Sequence, residues 1–209
     1  MLHDERSGEM SYLLGDADAG EAVLVDAHGR DLIVWRAVLN ERELRLRWVL
    51  RTHQHDALQP GEAEAIHGMG VTCVQGSAAG AANSAIASGD VLPFGDEFVR
   101  VLETPGHTPG CLSFVWRDRV FCGGLLAVDA SAHQPYPADA AALWDSVTQR
   151  IFTLPDETLL FSGHERRTRA GSTVLEQRRW HPLFVGLSRD EFLARAAELF
   201  PKRQAAPLP

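Results

Sequence analysis

Histidines cluster in two short motifs of this chain. One motif is Thr52-His53-Gln54-His55, and the other is the segment 104–110, which reads TPGHTPG and carries His107. Each motif follows an apolar run that predicts a β-strand. Neutral imidazole is a common ligand for zinc, iron and copper. His53, His55 and His107 are therefore predicted to bind one divalent metal ion, with iron and zinc as the candidates.

The backbone around these histidines suits metal binding. His53 and His55 are two residues apart, so their side chains share a face where the chain is extended. His107 lies between two Pro-Gly pairs, which restrict its backbone. A further histidine, His164, follows Gly163 at another predicted strand end, and strand ends of a layered α/β fold gather along one rim. The residues alone leave a plainer alternative, in which these are loop histidines that bind no metal.

The apolar periodicity of the chain predicts alternating strands and helices, and therefore an α/β fold. The predicted strands cover residues 12–14, 21–26, 46–50, 71–74, 98–102, 112–115, 120–122 and 158–161. The predicted helices cover 31–40, 62–67, 140–152, 173–180 and 189–199, with Ser188 as the N-cap of the last. The Ala/Ser/Gly-rich segment 76–89 predicts a loop or a weakly held helix. Residues 1–209 are predicted to form a single domain, with a loose tail from about residue 201.

Composition restricts the partners. The formal net charge of −8 argues against nucleic acid, which needs a basic surface. No stretch approaches the roughly 20 apolar residues of a membrane-spanning helix, and the polar N-terminus lacks the apolar region of a secretory signal. These features predict a cytoplasmic protein with no membrane or nucleic acid partner, and a homodimer is one option. Cys73, Cys111 and Cys122 form no CxxC pair and are predicted to be reduced thiols, with Cys122 buried and inert.

Several segments together resemble a known superfamily. They are 52–55, 103–110, 151–158, 162–164, 172–174 and 181–182. The chain resembles the metallo-β-lactamase superfamily, and more narrowly the branch of hydroxyacylglutathione hydrolases (glyoxalase II) and glutathione persulfide dioxygenases. The resemblance covers nearly the whole chain. It implies an αββα sandwich, in which two mixed β-sheets lie face to face with helices on the outer faces and the metal site lies at one edge.

The resemblance also implies roles for individual positions. In the family motif THxHxDH, two histidines bind a first metal and the Asp-His pair binds a second. An Asp from a segment like FTGD bridges the two metals, and a late histidine in a PGH segment serves the second. The related dioxygenases hold a single iron with two histidines and that bridging Asp.

This chain departs from the family pattern at its carboxylate positions. Ala57 and Leu58 stand where Asp-His is expected, and Gly124 stands where the bridging Asp is expected. The second metal site is therefore predicted to be lost. The first is predicted to persist as the three-histidine site, with water in the fourth position, a geometry that zinc accepts. Gly124→Asp is predicted to raise the metal affinity, because it returns an anionic ligand to a neutral set.

No catalytic residue is assigned, and the charged residues near the motifs have open roles. His164 lacks its Asp partner and is predicted to be structural or a hydrogen-bonding neighbour of the ligands. Asp56 is predicted to be a turn residue, with a general base as the alternative. Four more residues are candidates for the site mouth, with solvated loop residues as the alternative: Asp129, His133, Glu165 and Arg166. Asp129 is also a candidate for a substitute carboxylate ligand. The family's Arg that helps to hold glutathione aligns near His133.

Three functions follow from the resemblance and the departures. The first is a mononuclear metalloenzyme that acts, like the persulfide dioxygenases, on a small thiol persulfide. The second is a zinc-type hydrolase, in which a metal-bound hydroxide attacks a thioester or lactone carbonyl. The third is a non-catalytic relative that keeps an empty or structural metal site. Metal content, oxygen consumption and thiol release distinguish the three.

Overall fold

Two mixed β-sheets, packed face to face, form the centre of the protein. The computed structural model describes residues 1–53, 65–66, 68–76, 88–128, 137–165, 169 and 171–200. Within these ranges, helices cover the outer faces of both sheets. The predicted αββα sandwich is therefore confirmed.

The first sheet has its strands in the order of the sequence. They are β1 (Leu2–His3), β2 (Met10–Asp16), β3 (Glu21–Val25), β4 (Arg45–Leu50) and β5 (Thr72–Val74). The strand β2 runs antiparallel to β1 and to β3, whereas β4 runs parallel to both β3 and β5. Because β3, β4 and β5 share one direction, their carboxyl ends lie at the same edge of the sheet.

The second sheet has the order β11-β10-β9-β8-β7-β6. Its strands are β6 (Val91–Phe94), β7 (Glu97–Glu103), β8 (Leu112–Trp116), β9 (Arg119–Gly123), β10 (Leu159–Ser162) and β11 (Gly171–Thr173). Only β9 and β10 pair in parallel, and β8 runs antiparallel to both β7 and β9. The strands β7, β9 and β10 therefore end at a common edge, and the loops that follow them meet there.

Side-chain hydroxyls and carboxylates mark the helix starts. The helices are α1 (Leu32–Glu41), α2 (Ala140–Ser146), α3 (Val174–Trp180) and α4 (Arg189–Leu199). Asp139 caps α2 and Thr173 caps α3. Ser188 is the N-cap of α4, as predicted from the sequence, and it forms a capping box with Glu191. The turn Val147–Ile151 continues α2 as a wider π turn.

Strand alternation distributes the apolar side chains over three layers. In β3, Val23 and Val25 point between the sheets, where they join Tyr12 and Phe114 in the central layer. Leu24 points the other way and packs with Trp35 of α1. On the far side of the second sheet, residues of β9 and β10 pack against α2, α3 and α4 in a third cluster: Val120, Cys122, Leu160, Leu143, Val174 and Phe192.

The predicted elements are confirmed wherever the described ranges contain them. Three short strands, β1, β6 and β11, had no sequence prediction, because two to four residues are too few to show a period. Most of the predicted helix 62–67, most of the segment 76–89 and the tail from residue 201 lie outside the described residues. Across the described ranges, every helix is too short or too polar to cross a bilayer.

Candidate metal centre

His53 lies where the two sheets meet. It follows β4, and the backbone at this strand end forms hydrogen bonds to both sheets. The N–H of Arg51 donates to the carbonyl of Val74 at 2.8 Å within the first sheet, and the N–H of Leu112 in the second sheet donates to the carbonyl of Thr52 at 2.7 Å. These bonds fix the position of the His53 backbone at the junction between the sheets.

A buried carboxylate orients the imidazole of His53 through Thr52. The backbone N–H of Thr52 donates to Oδ1 of Asp26, and its hydroxyl donates to Oδ2, both at 2.7 Å. Nδ1 of His53 lies 2.8 Å from Oγ1 of Thr52. Because the hydroxyl gives its only proton to Asp26, Oγ1 accepts from His53, and the proton of the neutral ring lies on Nδ1. Nε2 therefore carries the lone pair of the ring, as metal binding requires.

Asp26 occupies an unusual position for a carboxylate. It directly follows β3, has a φ of 51° and is 9% exposed. Burial raises the pKa of Asp26, while the two hydrogen bonds from Thr52 and the charges of Arg51 and His28 act in the opposite direction. Both of its oxygens accept hydrogen bonds, which is the pattern of an ionised carboxylate.

His107 follows β7 and is held by the start of α2. The N–H of Ala138 donates to the carbonyl of His107 at 3.1 Å, and the N–H of Asp139 donates to that of Gly106 at 2.9 Å. Gly106 has a φ of 143°, and a Cβ atom there would lie 2.4 Å from Cα of Leu143. Glycine at this position therefore lets the helix approach, and the imidazole of His107 is buried with 3% of the residue exposed.

His164 follows β10 and is held from two sides. It forms an antiparallel bridge with Glu9, and the N–H of Met10 donates to the carbonyl of Gly163 at 2.9 Å. The N–H of Gly163 donates to the carbonyl of Gly123 at 2.8 Å. A Cβ atom on Gly163 would lie 2.9 Å from Cα of Gly123, so glycine allows the ends of β9 and β10 to come together.

The three histidines converge, although they are far apart in the sequence. One ligand nitrogen from each of His53, His107 and His164 lies within 4.8 Å of the other two. Nε2 of His53 is 2.7 Å from Nε2 of His164. The centroid of the His53 ring is 5.0 Å from that of His107 and 4.8 Å from that of His164. Three imidazole nitrogens gathered in this way could hold one transition metal ion.

Two consecutive glycines form the floor beside these rings. Gly123 has a φ of 55°, and a Cβ atom there would lie 2.0 Å from Oγ1 of Thr52. A Cβ atom on Gly124 would lie 2.2 Å from Cδ2 of His107. Position 124, where the resemblance implies a bridging carboxylate, therefore lies beside the histidines, and the ring of His107 fills the space that a side chain there would need.

The remaining predicted site residues fall into two groups. One group lies outside the described residues and keeps its predicted roles only as predictions: His55, Asp56, Asp129, His133 and Arg166. Glu165 is described, and its prediction as a mouth residue is wrong, since it is only 1% exposed. Its Oε1 accepts from the N–H of Val128 at 2.8 Å and from Oγ of Ser162 at 3.0 Å, so it ties the chain after Gly124 to the end of β10.

The sequence did not point to Asp26, whereas the structure confirms the predicted state of the three cysteines. Asp26 gave no signal beyond its place at the end of a strand, because its partner Thr52 is 26 residues away. Cys122 is buried, and burial raises its pKa to about 12, which confirms the inert thiol. All three cysteines are free thiols, as predicted.

Comparisons with known proteins agree with this architecture. No protein-family profile matches the chain. "Persulfide dioxygenase ETHE1, mitochondrial" of Mus musculus is 32% identical, over 92% of this chain and 77% of that protein. The crystal structure of ETHE1 from Myxococcus xanthus superposes with a TM-score of 0.85 and 33% identity, over 97% of this chain and 91% of that one. A metallo-beta-lactamase structure from Staphylococcus aureus matches with a TM-score of 0.80 at 22% identity, over 99% of this chain and 67% of that one, and it shows the fold alone.

Proposed function

Because this chain belongs to the persulfide dioxygenase family of metallo-β-lactamase fold proteins, we propose that it is a mononuclear metalloenzyme that oxidises a small thiol persulfide. The reaction takes one persulfide, one O2 and one water to the thiol and sulfite. The two sulfur atoms of the persulfide together lose four electrons, the dioxygen molecule gains the same four, and two protons are released. The convergence of His53 and His107 on a common point carries the proposal.

The residues at the centre fit a metal of the kind this chemistry requires. Imidazole suits both iron and zinc, and Nε2 of His53 faces the other histidines of the site. We propose one divalent metal ion held by His53 and His107, together with His55, and iron is favoured for this reaction because zinc has no redox chemistry. A bound iron supplies the redox centre for the reduction of dioxygen.

Neighbouring residues of the chain fix the positions of the proposed ligands. Asp26 and Thr52 keep the proton of His53 on Nδ1. The start of α2 holds the backbone of His107, and the ends of β9 and β10 close around the rings. Asp129, His133 and Arg166 are proposed to line the mouth, where a cationic Arg166 would attract an anionic thiol substrate.

The broader setting is proposed on the sequence. A small thiol or persulfide is the proposed partner, and the net charge of −8 disfavours nucleic acid. A cytoplasmic location and a homodimer are proposed as well. Cell fractionation tests the first, and light scattering of the purified protein tests the second.

Two assays on the purified protein test the proposed function. Oxygen consumption and sulfite formation are measured with glutathione persulfide, and thiol release is measured with an S-acyl-glutathione. We expect one iron per chain and one sulfite per O2, with little thiol release. Thiol release without oxygen consumption would instead indicate the hydrolase. Absence of both activities in metal-loaded protein would indicate the non-catalytic relative.

Substitutions link the activity to the site. His107→Ala and His55→Ala are expected to lose both iron and activity, because each removes a proposed ligand. Arg150→Ala is the control, because Arg150 is exposed on the turn that follows α2 and belongs to none of the proposed ligands. Retention of iron by His107→Ala would contradict the proposed site.

A further inference from the structure

We infer that His164 is a ligand of the same ion as His53 and His107, and that it replaces the carboxylate which the family carries at position 124. The inference rests on the proposed metal centre and changes its composition. In the related pattern, the late histidine serves a second metal. In this chain, the juxtaposition of three imidazoles at one point assigns it to the first.

The distances between ligand nitrogens support a shared ion. At metal–nitrogen distances of about 2.0–2.1 Å, two nitrogens on one ion lie about 3–4 Å apart. The nitrogens of His53 and His164 are 2.7 Å apart, and all three ligand atoms lie within 4.8 Å of one another. Small rotations of the rings, which move each ligand nitrogen by a fraction of an ångström, bring these distances into the required range.

The hydrogen bonds of His53 sharpen the assignment. Its Nδ1 carries the proton that it gives to Thr52, so its Nε2 directs a lone pair towards His164. Two imidazole nitrogens at 2.7 Å need either a metal ion or a proton between them, because two lone pairs repel. A metal makes His164 a ligand. A proton makes His164 a hydrogen-bond donor that blocks Nε2 of His53, and this competes with metal binding.

The glycines at positions 123, 124 and 163 explain why a further ligand comes from the end of β10. The ring of His107 lies where a side chain at position 124 would begin, since a Cβ atom there would be 2.2 Å from Cδ2 of the ring. Across the site, Gly163 and Gly123 let the end of β10 approach β9, which brings His164 inward. The absence of a carboxylate at position 124 and the position of His164 close to His53 are therefore linked.

The charge of the site follows from this ligand set. Neutral imidazoles alone, His55 included, leave a divalent ion with its full charge, whereas a carboxylate among the ligands reduces that charge by one. A site of this kind favours an anionic further ligand. The thiolate or persulfide anion has the required charge, and a neutral thioester does not.

Cobalt(II) binding tests the inference without any activity measurement. Metal-free wild type, His53→Ala, His164→Ala and His164→Gln are titrated with Co(II), and affinity, stoichiometry and the visible spectrum are recorded. We expect one Co(II) per wild-type chain. Loss of a residue that only hydrogen-bonds to a ligand lowers metal affinity about 10- to 100-fold. His164→Ala is expected to lose more affinity than that and to show a changed Co(II) spectrum. His164→Gln keeps a polar side chain of similar size and is expected to lose affinity similarly.

The controls separate this inference from the proposed function. Arg150→Ala, an exchange at an exposed position of the turn after α2, should bind Co(II) like the wild type, and the thermal unfolding of each metal-free variant checks its fold. If His53→Ala loses Co(II) while both His164 variants keep wild-type affinity and spectrum, His164 is no ligand and the inference is overturned, although the metal centre stands. Tighter binding by His164→Ala would also overturn it, because His164 would then be the blocking donor. Loss of Co(II) in the His164 variants supports the inference even if wild-type protein consumes no oxygen with glutathione persulfide, a result that would refute the proposed function alone.

Discussion

The imidazole of His107 occupies the space that a side chain on Gly124 would need. A Cβ atom at position 124 would lie 2.2 Å from Cδ2 and 2.6 Å from Nε2 of that ring. Both residues are buried at the end of strands that share one direction. The missing carboxylate and the position of the histidine are therefore coupled, and this coupling changes the expected effect of restoring the carboxylate.

We expect Gly124→Asp to lower the metal affinity, whereas the sequence alone predicted a rise. The new side chain displaces the ring of His107 before its carboxylate can act as a ligand. Gly124→Ala is the matched control, because it introduces the same Cβ atom without the carboxylate. Metal affinity by chelator competition then separates the collision from the new charge. A Gly124→Asp variant that binds more tightly than the wild type would show that His107 moves aside easily.

We expect Thr52→Val to weaken metal binding about 10- to 100-fold. Valine has the shape of threonine but cannot accept the proton of His53 Nδ1 or donate to Asp26. The imidazole then loses the bond that fixes its orientation and tautomer. Thr52→Ser keeps the hydroxyl and should remain within a few-fold of wild type. Equal zinc affinities of the valine and serine variants would show that Thr52 does not orient the ligand.

We expect Gly106→Ala to destabilise the protein by about 3 kcal/mol. A positive φ costs a non-glycine residue about 1–2 kcal/mol, and the collision with the backbone of Leu143 adds about 1–3 kcal/mol. Gly186→Ala is the control, because Gly186 has a φ of 68° and nothing within 4 Å of its Cβ position. Urea unfolding of the metal-free proteins measures both. Similar losses for the two variants would mean that α2 can shift away from residue 106.

We expect stability to fall as the pH drops from about 6.5 towards 4, because of His181. This residue is 1% exposed, and burial lowers its pKa to about 4. A histidine with a depressed pKa in the folded state is neutral there, while the unfolded chain takes up the proton at its ordinary pKa of 6.5. Its contribution is therefore complete above pH 6.5 and is lost on acidification, on the order of 2 kcal/mol between pH 7 and pH 5.

A variant without the imidazole isolates this contribution. The free energy of unfolding of His181→Leu should change less between pH 7 and pH 5 than that of wild type, since the apolar side chain does not titrate. Urea unfolding at several pH values measures the difference. Parallel pH profiles of the two proteins would show that another group causes the acid sensitivity.

The residue types and the strand pattern of the sequence predicted an α/β fold and named two members of the histidine cluster as ligands, while the resemblance to the metallo-β-lactamase superfamily implied the αββα sandwich. Apolar runs and apolar alternation predicted β3, β4, β7 and the other long strands, because a strand buried on both faces is apolar throughout and one buried on a single face has a period of two. The Pro-Gly frame of His107 and its place after a strand likewise result from local backbone preferences. Such features depend on neighbours within a few residues, so the sequence displays them directly.

Tertiary structure decided what surrounds those histidines. The pairing of Asp26 with Thr52, the 2.7 Å approach of His164 to His53 and the overlap of position 124 with His107 join residues 17 to 111 positions apart. Sheet register, strand direction and the space left by glycines set these distances. None of these three factors produces a periodic pattern in the sequence. The sequence therefore determined which ligands were present, and the packing of two sheets determined which of them meet.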